Sequence, residues 1–347
     1  MRRSLPTEAG IVVSLVLGAV SFAAIGIVLE SLARRRDAKR FPPPGRLVEI
    51  DGQRLHIHVS GAGSPTVVLE AGIAATSLSW QLVQPEVAKF TRVCSYDRAG
   101  LGWSDAAARG SSMSATEYAA ALHNLLEVAG LSPPYLLVGH SFGSLIVRAY
   151  AKEHSDDLAG LVIVDPVLPS EWIEATESEK RRLRYGVALS RRGAFLARLG
   201  VVRLSLLLLV SGARRIPQLI ARISSGQGSG AIERLLGEVQ KLPPESWAAI
   251  QSHWSHSKSF LAMAAHLESL GPSAQEIGST VPPEQIPLIV LSARHASKEQ
   301  RREWDRLAAH AHGGRHENVT NAGHWIHLDA PEAVVNAIRD LVEKHRG

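Results

Sequence analysis

A short apolar strand that runs into a serine between two glycines is the first feature of this chain that could do chemistry. The stretch reads LLVGHSFG and ends in His140, Ser141, Phe142 and Gly143. A sharp turn from strand to helix would expose the serine oxygen and crowd the backbone, which requires small flanking residues such as Gly139. A helix that begins near Phe142 would point its free N–H groups at that oxygen. The pattern predicts a nucleophilic serine; the alternative is a glycine-rich turn with an incidental serine.

A serine hydroxyl needs a neighbouring base to remove its proton, and the chain has 15 histidines. His324 stands out because it lies in the loop TNAGHWIHLDAPEAV, between the last predicted strand and the last predicted helix. Loops that follow parallel strands converge at the carboxyl edge of a sheet, where ligands bind. We therefore expect His324 to reach Ser141. The local alternative is His327, which we expect to be turned away or to have a supporting role.

The tetrahedral intermediate of acyl transfer carries a negative oxygen, which requires hydrogen-bond donors. The backbone N–H of Phe142, directly after the serine, is the first predicted donor. The second is the N–H of Ile73, in the loop after the apolar segment TVVLEAG. Gly72 would let this loop approach the serine closely, although a glycine that serves only as a turn residue gives the same pattern. This chemistry requires no cofactor and no metal.

Apolar segments that alternate with helical patterns must position these residues. The predicted strands include TVVLEAG, RVCSYD, PYLLVGH, LAGLVIVDP and IPLIVLSA, and the last helix is APEAVVNAIRDLVEKH. Continuous apolar runs are typical of a parallel sheet that is covered by helices on both faces. A hairpin is predicted around Asp51 and Gly52, and the pair Ser114 and Glu117 predicts a capping box at a helix start.

The composition excludes several classes of protein. The single cysteine, Cys94, rules out an internal disulfide and a cysteine-rich metal site, and its place in the predicted buried strand RVCSYD favours a structural role. The net charge of +5 is modest, and the basic residues do not form a stripe with interleaved aromatic residues. Nucleic acid is therefore not an expected partner.

The alternation of strands and helices stops between residues 168 and 285. This segment is rich in arginine and in helical patterns, and we predict that it forms an inserted helical cap. It contains the apolar run FLARLGVVRLSLLLLV, about four helical turns long, for which a second membrane-spanning helix is the alternative. Arg198 and Arg203 interrupt the run and leave too short an apolar stretch to span a bilayer. A flexible loop is predicted over residues 224–230.

Residues 9–29 form a stretch of 21 uncharged and mostly apolar positions. A membrane-spanning helix needs about 20, and the segment that follows offers no obvious cleavage site. We predict an uncleaved single-pass anchor, because the stretch lacks the polar face of a soluble helix. More basic residues follow the stretch than the pair Arg2 and Arg3 that precedes it, which favours a cytoplasmic catalytic domain. The residues that follow are Arg34, Arg35, Arg36, Lys39 and Arg40.

These features divide the chain into four predicted segments. Residues 1–40 contain the anchor and its basic flank, and residues 168–285 contain the cap. The first and second parts of an α/β core occupy residues 41–167 and 286–347. The sequence FPPPG at the start of the first core part predicts a stiff linker.

Three motifs resemble those of the α/β-hydrolases. GHSFG resembles the nucleophile elbow, YDRAGLGWSD resembles the glycine-rich loop after the fourth strand, and NAGHWIHLDAPEAV resembles the segment with the catalytic histidine. The resemblance covers residues 46–347. It implies a mostly parallel eight-stranded sheet with helices on both faces, and the chain order serine, acid, histidine. The family often has His-Gly where this chain has Ala71-Gly72, so the side-chain support of the oxyanion loop should differ here.

The acid departs from the usual pattern of the family. The usual slot after IPLIVLSA contains no carboxylate, and Ala296 lies about where one would be expected. Some α/β-hydrolases carry their acid at the end of the strand that here reads LAGLVIV, where Asp165 stands. We predict Asp165 as the acid and Glu299 as the second choice, in a charged stretch that also contains Glu303 and Asp305. The alternative role of Asp165 is to cap the loop into the inserted segment.

The serine narrows the reaction, because the epoxide hydrolases and haloalkane dehalogenases of the family use an aspartate at the elbow. We predict a membrane-anchored hydrolase that cleaves a carboxylic ester with an apolar acyl group through an acyl-enzyme. The alternatives are a peptidase or a carbon–carbon bond hydrolase with the same residues, or a ligand-binding protein of this fold without hydrolytic activity. A peptidase that takes free amino termini would need an acidic anchor in the cap. The candidates are Glu171, Glu174, Glu177 and Glu179.

Overall fold

The computed structural model describes residues 8–107, 113–210, 241–278 and 280–347. Eight strands form one sheet: β1 Arg46–Ile50, β2 Gln53–Ser60, β3 Thr66–Glu70, β4 Val93–Tyr96, β5 Tyr135–His140, β6 Leu158–Val164, β7 Leu288–Ala293 and β8 Arg315–Val319. Their order across the sheet is β1-β2-β4-β3-β5-β6-β7-β8. Strand β2 is antiparallel to both of its neighbours, and every other neighbouring pair is parallel. The predicted eight-stranded, mostly parallel sheet is confirmed.

Helices cover the sheet, and further helices lie in the described parts of the connection between β6 and β7. The described helices are α1 Glu8–Arg40, α2 Gln84–Val87, α3 Ala115–Val128, α4 Gly143–Glu153, α5 Pro169–Ile173, α6 Glu177–Arg198, α7 Val201–Val210, α8 Pro244–Trp254, α9 Ser257–Ile277, α10 Lys298–His310, α11 Ile326–Asp329 and α12 Pro331–Arg346. Two short 3₁₀ helices lie at Ser77–Trp80 and Ser155–Asp157.

Each face of the sheet has its own apolar core. Leu137 of β5 packs with residues of α3, α4 and α10 on one face. Leu136 and Val138 of the same strand pack with residues of α2 and α12 on the other. Successive side chains of a strand point to opposite faces, so a strand that is buried on both faces must be apolar throughout. This is the physical origin of the continuous apolar runs in the sequence.

Two local predictions are also confirmed. The hairpin between β1 and β2 turns through Asp51 and Gly52, whose φ angles of 51° and 77° match a two-residue turn that twists with its strands. The capping box at the start of α3 forms as predicted, because the Ser114 hydroxyl accepts from the backbone N–H of Glu117 and the Glu117 carboxylate accepts from that of Ser114.

The described parts of the cap are helical. Helices α5, α6 and α7 follow β6, and α8 and α9 precede β7. The apolar run that was predicted as one stretch is divided between α6 and α7, because Gly200 has a φ of +74°, outside the helical region. The loop predicted over residues 224–230 lies outside the described residues. The division of the chain into four segments stays a prediction.

Helix α1 is continuous over 33 residues. Within the described residues it is the one helix that is long and apolar enough to cross a membrane. The stiff linker predicted at residues 41–45 is fastened to the core. The carbonyl oxygen of Phe41 accepts from Trp103 Nε1 at 2.9 Å, and that of Pro44 lies 2.7 Å from His56 Nε2. Residues 41–45, which connect α1 to β1, are therefore hydrogen-bonded to the core.

Candidate active site

The predicted nucleophile lies at the carboxyl end of β5 in a strained conformation. Ser141 has a φ of +53°, which is unfavourable for a residue with a Cβ atom and is held by a hydrogen bond from its N–H to the Val164 carbonyl at 3.0 Å. The turn is also crowded. A Cβ atom on Gly139 would lie 2.7 Å from the carbonyl oxygen of Gly143, so the residue must be glycine. This is the geometry of a nucleophile elbow.

Asp165 and His324 meet beside this turn. Strands β5 and β6 pair in parallel up to His140 and Val164, so the residues that follow them emerge side by side. The His324 Nδ1–H donates to Asp165 Oδ2 at 2.6 Å, and the other carboxylate oxygen accepts from the backbone N–H of Ala293 at 2.9 Å. The carboxylate is thus fixed from two sides. It selects the histidine tautomer whose Nε2 can accept a proton.

The loop that carries His324 is fastened to the residue before the nucleophile. The His140 ring donates from Nε2 to the His324 carbonyl oxygen at 2.8 Å, and the two ring centroids lie 4.8 Å apart. Burial, together with the neighbouring His327 and His324, holds the pKa of His140 well below its usual value. In the described part of the chain the Ser141 hydroxyl has no hydrogen-bond partner. Such bonds are often long in free enzymes and shorten when substrate binds.

The other candidate acids do not contact His324. Glu299 is exposed in the first turn of α10, where its own backbone N–H and the Ser297 hydroxyl lower the pKa of its carboxyl. Glu303 accepts a hydrogen bond from a serine of the cap, and Asp305 pairs with a histidine of β8. Asp165 differs from the other three candidates in the element that carries its carboxylate. Asp165 leaves a strand at the carboxyl edge, whereas the other three lie on a surface helix.

The two predicted oxyanion donors flank the nucleophile. Among the described residues, no acceptor occupies the backbone N–H of Phe142 or that of Ile73. The loop that carries Ile73 lies close to the elbow, because a Cβ atom on Gly72 would come within 3.4 Å of the Ser141 Cβ. Both N–H groups are thus available to a substrate oxygen.

A buried ion pair that sequence reasoning missed supports this loop. Arg98 donates to the carbonyl oxygen of Ala71 at 2.8 Å and also to that of Gly72, and it pairs with the carboxylate of Glu70. Its guanidinium lies 5.7 Å from the Phe142 ring centroid. This chain has Ala71-Gly72 where the family often has His-Gly, and here the Arg98 side chain supports the oxyanion loop. The signal in the sequence was a charged residue at the end of an apolar strand and an arginine in a glycine-rich motif.

The cap also contacts the oxyanion loop. His266 of α9 is fully buried, and its Nδ1 accepts from the N–H of Ala74 at 3.3 Å. Its ring lies against Phe142, with the centroids 5.7 Å apart. A hydrogen bond between residues 192 positions apart has no local signal in the sequence.

Three of the four glutamates predicted as candidates to bind a free amino terminus line a cavity of about 490 Å³; the exception is Glu177. Burial raises the pKa of Glu171 in this cavity, and the carboxylates around it add to the effect. The lining does not include Ser141, Asp165 or His324. The residues that line it are Ser170, Glu171, Trp172, Glu174, Glu179 and Glu303.

One group of side chains has the composition of a metal site. His123, His154 and Asp157 have ligand atoms within 4.8 Å of one another. The two imidazole rings are stacked, with centroids 4.0 Å apart and planes at 5°. A metal ion lies near the plane of each imidazole that binds it, and two parallel, separated planes share no such point. This arrangement is therefore one of ring stacking.

The sequence profile of the α/β hydrolase fold matches residues 65–331. This chain belongs to the α/β-hydrolase fold family. Its predicted nucleophile, acid and base all follow strands of the family's sheet at the carboxyl edge. Membership of this family indicates the fold and a hydrolase, without a specific substrate.

Curated relatives match this α/β-hydrolase over part of its length. It is 34% identical over 120 residues to the uncharacterized protein YqjL of Bacillus subtilis (strain 168), a match that covers 34% of the chain and 47% of YqjL. It is 34% identical over 128 residues to a 2-hydroxymuconate semialdehyde hydrolase of Pseudomonas sp. (strain CF600), covering 35% of the chain and 44% of that enzyme. Each match thus covers less than half of the relative's own length.

A solved structure with the same fold is a thermophilic esterase from Thermogutta terrifontis. It superimposes with a TM-score of 0.60 at 21% sequence identity and covers 87% of this chain and 99% of its own. At this identity the likeness shows the fold alone. The cap and the carboxyl edge of the sheet must therefore be interpreted from the residues of this chain.

Proposed function

We propose that this α/β-hydrolase is a serine hydrolase that cleaves a carboxylic ester with an apolar acyl group. The observation that carries the proposal is the 2.6 Å hydrogen bond between Asp165 and His324, next to a serine at φ +53°. A strained serine, an oriented imidazole and a fixed carboxylate are the three parts of nucleophilic acyl transfer.

In the proposed mechanism, His324 Nε2 takes the proton of the Ser141 hydroxyl as its oxygen attacks the ester carbonyl. The carbonyl carbon becomes tetrahedral, and its oxygen takes up the negative charge. Collapse of this intermediate breaks the bond to the alcohol, which leaves with the proton from His324. Water then attacks the acyl-enzyme by the same route and releases the acid. Asp165 orients the imidazole and stabilises its positive charge throughout.

The backbone N–H groups of Phe142 and Ile73 would hold the negative oxygen. The loss of one such donor typically costs about 2.7–4 kcal/mol of transition-state stabilisation. Arg98 acts as a positioning residue in this proposal, because it holds the carbonyl groups of Ala71 and Gly72. Fixing these carbonyls directs the following N–H toward the elbow.

We further propose that α1 anchors the protein in a membrane by a single span, with the catalytic domain on the cytoplasmic side. Its apolar residues between Val13 and Leu29 are mostly exposed, which would be costly in water. The basic residues from Arg34 to Arg40 favour the cytoplasmic orientation. Digestion of the domain by protease in inverted membrane vesicles is expected, and protection there would contradict the orientation.

A fluorophosphonate probe tests the nucleophile directly, because it reacts with an activated serine. We expect labelling of the full chain in detergent and none in Ser141→Ala, with an unchanged melting temperature in the variant. Labelling that persists in Ser141→Ala, or a wild-type chain that does not label, would overturn the serine mechanism. The second outcome would favour a ligand-binding protein.

A series of p-nitrophenyl esters from acetate to palmitate then tests the substrate class. We expect kcat/KM to rise with acyl length, because each buried methylene contributes about 0.8 kcal/mol. A flat or falling series would remove the apolar acyl group from the proposal.

A carbon–carbon bond hydrolase is the second candidate, and the similarity to the Pseudomonas enzyme favours it. The same serine, histidine and acid could serve either reaction. Turnover of 2-hydroxymuconate semialdehyde with a higher kcat/KM than that of any ester would replace the ester proposal. An aminoacyl p-nitroanilide provides the corresponding test for a peptidase.

A further inference from the structure

Helix α1 contacts the cap through backbone atoms. A Cβ atom on Gly26 would collide with the carbonyl oxygen of Leu199, in the turn between α6 and α7. A Cβ atom on Gly200 would in turn lie 3.3 Å from the carbonyl oxygen of Gly26. Two backbones approach this closely only where side chains are absent from the contact. The turn of the cap is therefore seated directly on α1.

Ion pairs fix the same contact one turn further along α1. Arg203, in the first turn of α7, donates to both carboxylate oxygens of Glu30 at 2.7 and 3.1 Å and to Asp37 at 2.6 Å. Glu30 is only 3% exposed. Asp37 also accepts from the Ser252 hydroxyl of α8 at 2.9 Å. The cap is thus attached to α1 over three helical turns.

This attachment sets the depth of the cap if α1 spans a bilayer, and in this respect the inference rests on the proposed anchor. The uncharged stretch of α1 ends at Leu29, and Glu30 is the first charge after it. Gly26 lies three residues before that end, or about 4.5 Å along the helix axis. Leu199 and Gly200 therefore reach the level of the outermost acyl-chain carbons.

Exposed apolar side chains follow this turn in the cap. Eight of the ten residues in α7, VVRLSLLLLV, are apolar. Leu204 and Leu207 are more than half exposed and lie three residues apart, so they share one face of the helix. Phe195 of α6, four residues before Leu199, is also more than half exposed. We call Leu204 and Leu207 the α7 face.

We propose that the α7 face lies in the interfacial layer of the bilayer that α1 spans, in contact with lipid acyl chains. It follows Gly200, which lies against Gly26, and Arg203, which pairs with Glu30, and both of these α1 residues lie at the end of the uncharged stretch. The basic residues from Arg34 to Arg40 follow on the same helix and would lie among anionic headgroups. The cap then has a second, non-spanning contact with the membrane. An amphiphilic ester could pass from the lipid layer to the cap without crossing water.

Site-directed spin labelling of the full chain tests the proposal without removal of the native cysteine. Cys94 is fully buried, and burial raises the pKa of its thiol to about 12, so it should not react with the label. The reporter variant is Leu207→Cys. The matched control is Val128→Cys, an exposed apolar residue at the end of α3, on the opposite edge of the sheet from the site.

In phosphatidylcholine–phosphatidylglycerol vesicles we expect Leu207→Cys to collide often with oxygen and rarely with a polar nickel reagent. The ratio of the two rates should exceed that of Val128→Cys roughly tenfold, because hydrocarbon excludes the polar reagent. Frequent collision with the nickel reagent would place α7 in water, and low rates for both reagents would show that protein covers it. Either result overturns the proposal.

A label at Val20→Cys, in the middle of the exposed stretch of α1, separates this inference from the anchor on which it rests. If that label also lies in water, the anchor fails. If it lies in lipid while Leu207→Cys does not, only the inference fails. Labelling of Ser141 by the fluorophosphonate reports on the hydrolase proposal independently of both.

A pair of glycine variants tests whether contact with α1 sets the depth of α7. Gly26→Val should displace the cap and lower the oxygen-to-nickel ratio at Leu207→Cys toward that of the control. Gly18→Val should not change the ratio, because a Cβ atom there would meet no other described residue within 4 Å. Circular dichroism checks that both variants fold. An unchanged ratio in a folded Gly26→Val would show that the depth does not depend on this contact.

Discussion

Two polar contacts join distant parts of this chain, and their surroundings differ. At the carboxyl edge of the sheet, His324 bonds to Asp165 across 159 positions, and the carboxylate is also held by a strand N–H. At the cap, Arg203 bonds to Glu30 across 173 positions, next to the exposed apolar residues of α1 and α7. The contact between His324 and Asp165 lies beside hydrogen-bonded strands, which cannot move independently. The contact between Arg203 and Glu30 lies between two helices and depends on the few residues where the helices touch.

A hydrogen bond in the sheet and an ion pair at the cap therefore have different structural roles. Within the sheet, a hydrogen bond can fix one tautomer and one direction of proton transfer, because rigid backbone surrounds it. Between α1 and the cap, an ion pair fixes the position of one surface relative to another. We therefore expect changes at the sheet edge to alter the rate of the chemical step. Changes at the contact between α1 and the cap should alter which substrates reach Ser141.

The largest effect is expected from Asp165→Asn. Asparagine tolerates the φ of +42° at this position and can still accept from Ala293, but it presents an N–H group to His324 Nδ1. The imidazole is then held in the wrong tautomer, and kcat on p-nitrophenyl butyrate should fall by about 10⁴. Glu299→Gln should leave kcat unchanged. The reverse pattern would assign the acid to α10.

A smaller loss is expected from Arg98→Met, which leaves the Glu70 carboxylate buried without its partner. Removal of one member of a buried ion pair destabilises a protein by about 3–5 kcal/mol. Loosening of the oxyanion loop should lower kcat by about 10² as well. The matched control is Arg54→Met, which breaks an exposed pair with Asp105 and should change neither quantity measurably. Wild-type kcat in a folded Arg98→Met would show that the loop needs no such support.

The response to pH should come from buried histidines near the sheet edge. Burial, and then the neighbouring His324, lowers the pKa of His327 to about 3 despite the opposing carboxylate of Asp329. The unfolded chain takes up this proton below about pH 6.5 and the folded chain does not. Stability from His327 is therefore complete above pH 6.5 and is lost as the pH falls toward 3.

Between pH 7 and pH 5 this loss should amount to about 2 kcal/mol in the free energy of unfolding. His327→Phe keeps a ring against Trp80 and removes the titrating group, so its stability should change less over the same interval. The exposed His345→Phe serves as the control and should follow the wild type. Thermal melts in detergent at the two pH values measure the difference. An identical fall in His327→Phe and the wild type would contradict the burial argument.

The smallest effect on the chemical step is expected from Arg203→Met. This change breaks the contact with Glu30 and Asp37 but leaves the sheet edge untouched. The kcat for p-nitrophenyl acetate should stay at the wild-type value, and the KM for a long-chain ester in vesicles should rise. Arg182→Met, which removes an exposed charge from α6, should change neither parameter. A fall in kcat for the acetate in Arg203→Met would show that the two regions are coupled.

The sequence by itself determined the parts of this protein that are written in consecutive residues. The glycines around Ser141, the apolar strands, the Asp51-Gly52 turn and the apolar stretch of α1 all follow from local sterics and hydrophobicity. The loop of His324 followed from its place between a strand and a helix. The eight-stranded sheet and the family assignment are confirmed, whereas the catalytic roles of the individual residues stay predictions until they are tested.

Only the tertiary structure decided which distant groups meet. It paired His324 with Asp165 rather than Glu299, because the order of the strands places the end of β6 next to the nucleophile strand. It also joined Arg98 to the oxyanion loop and Arg203 to α1. Each contact depends on strand order and helix packing, which no local pattern encodes, since the partners are brought together only when the whole chain folds.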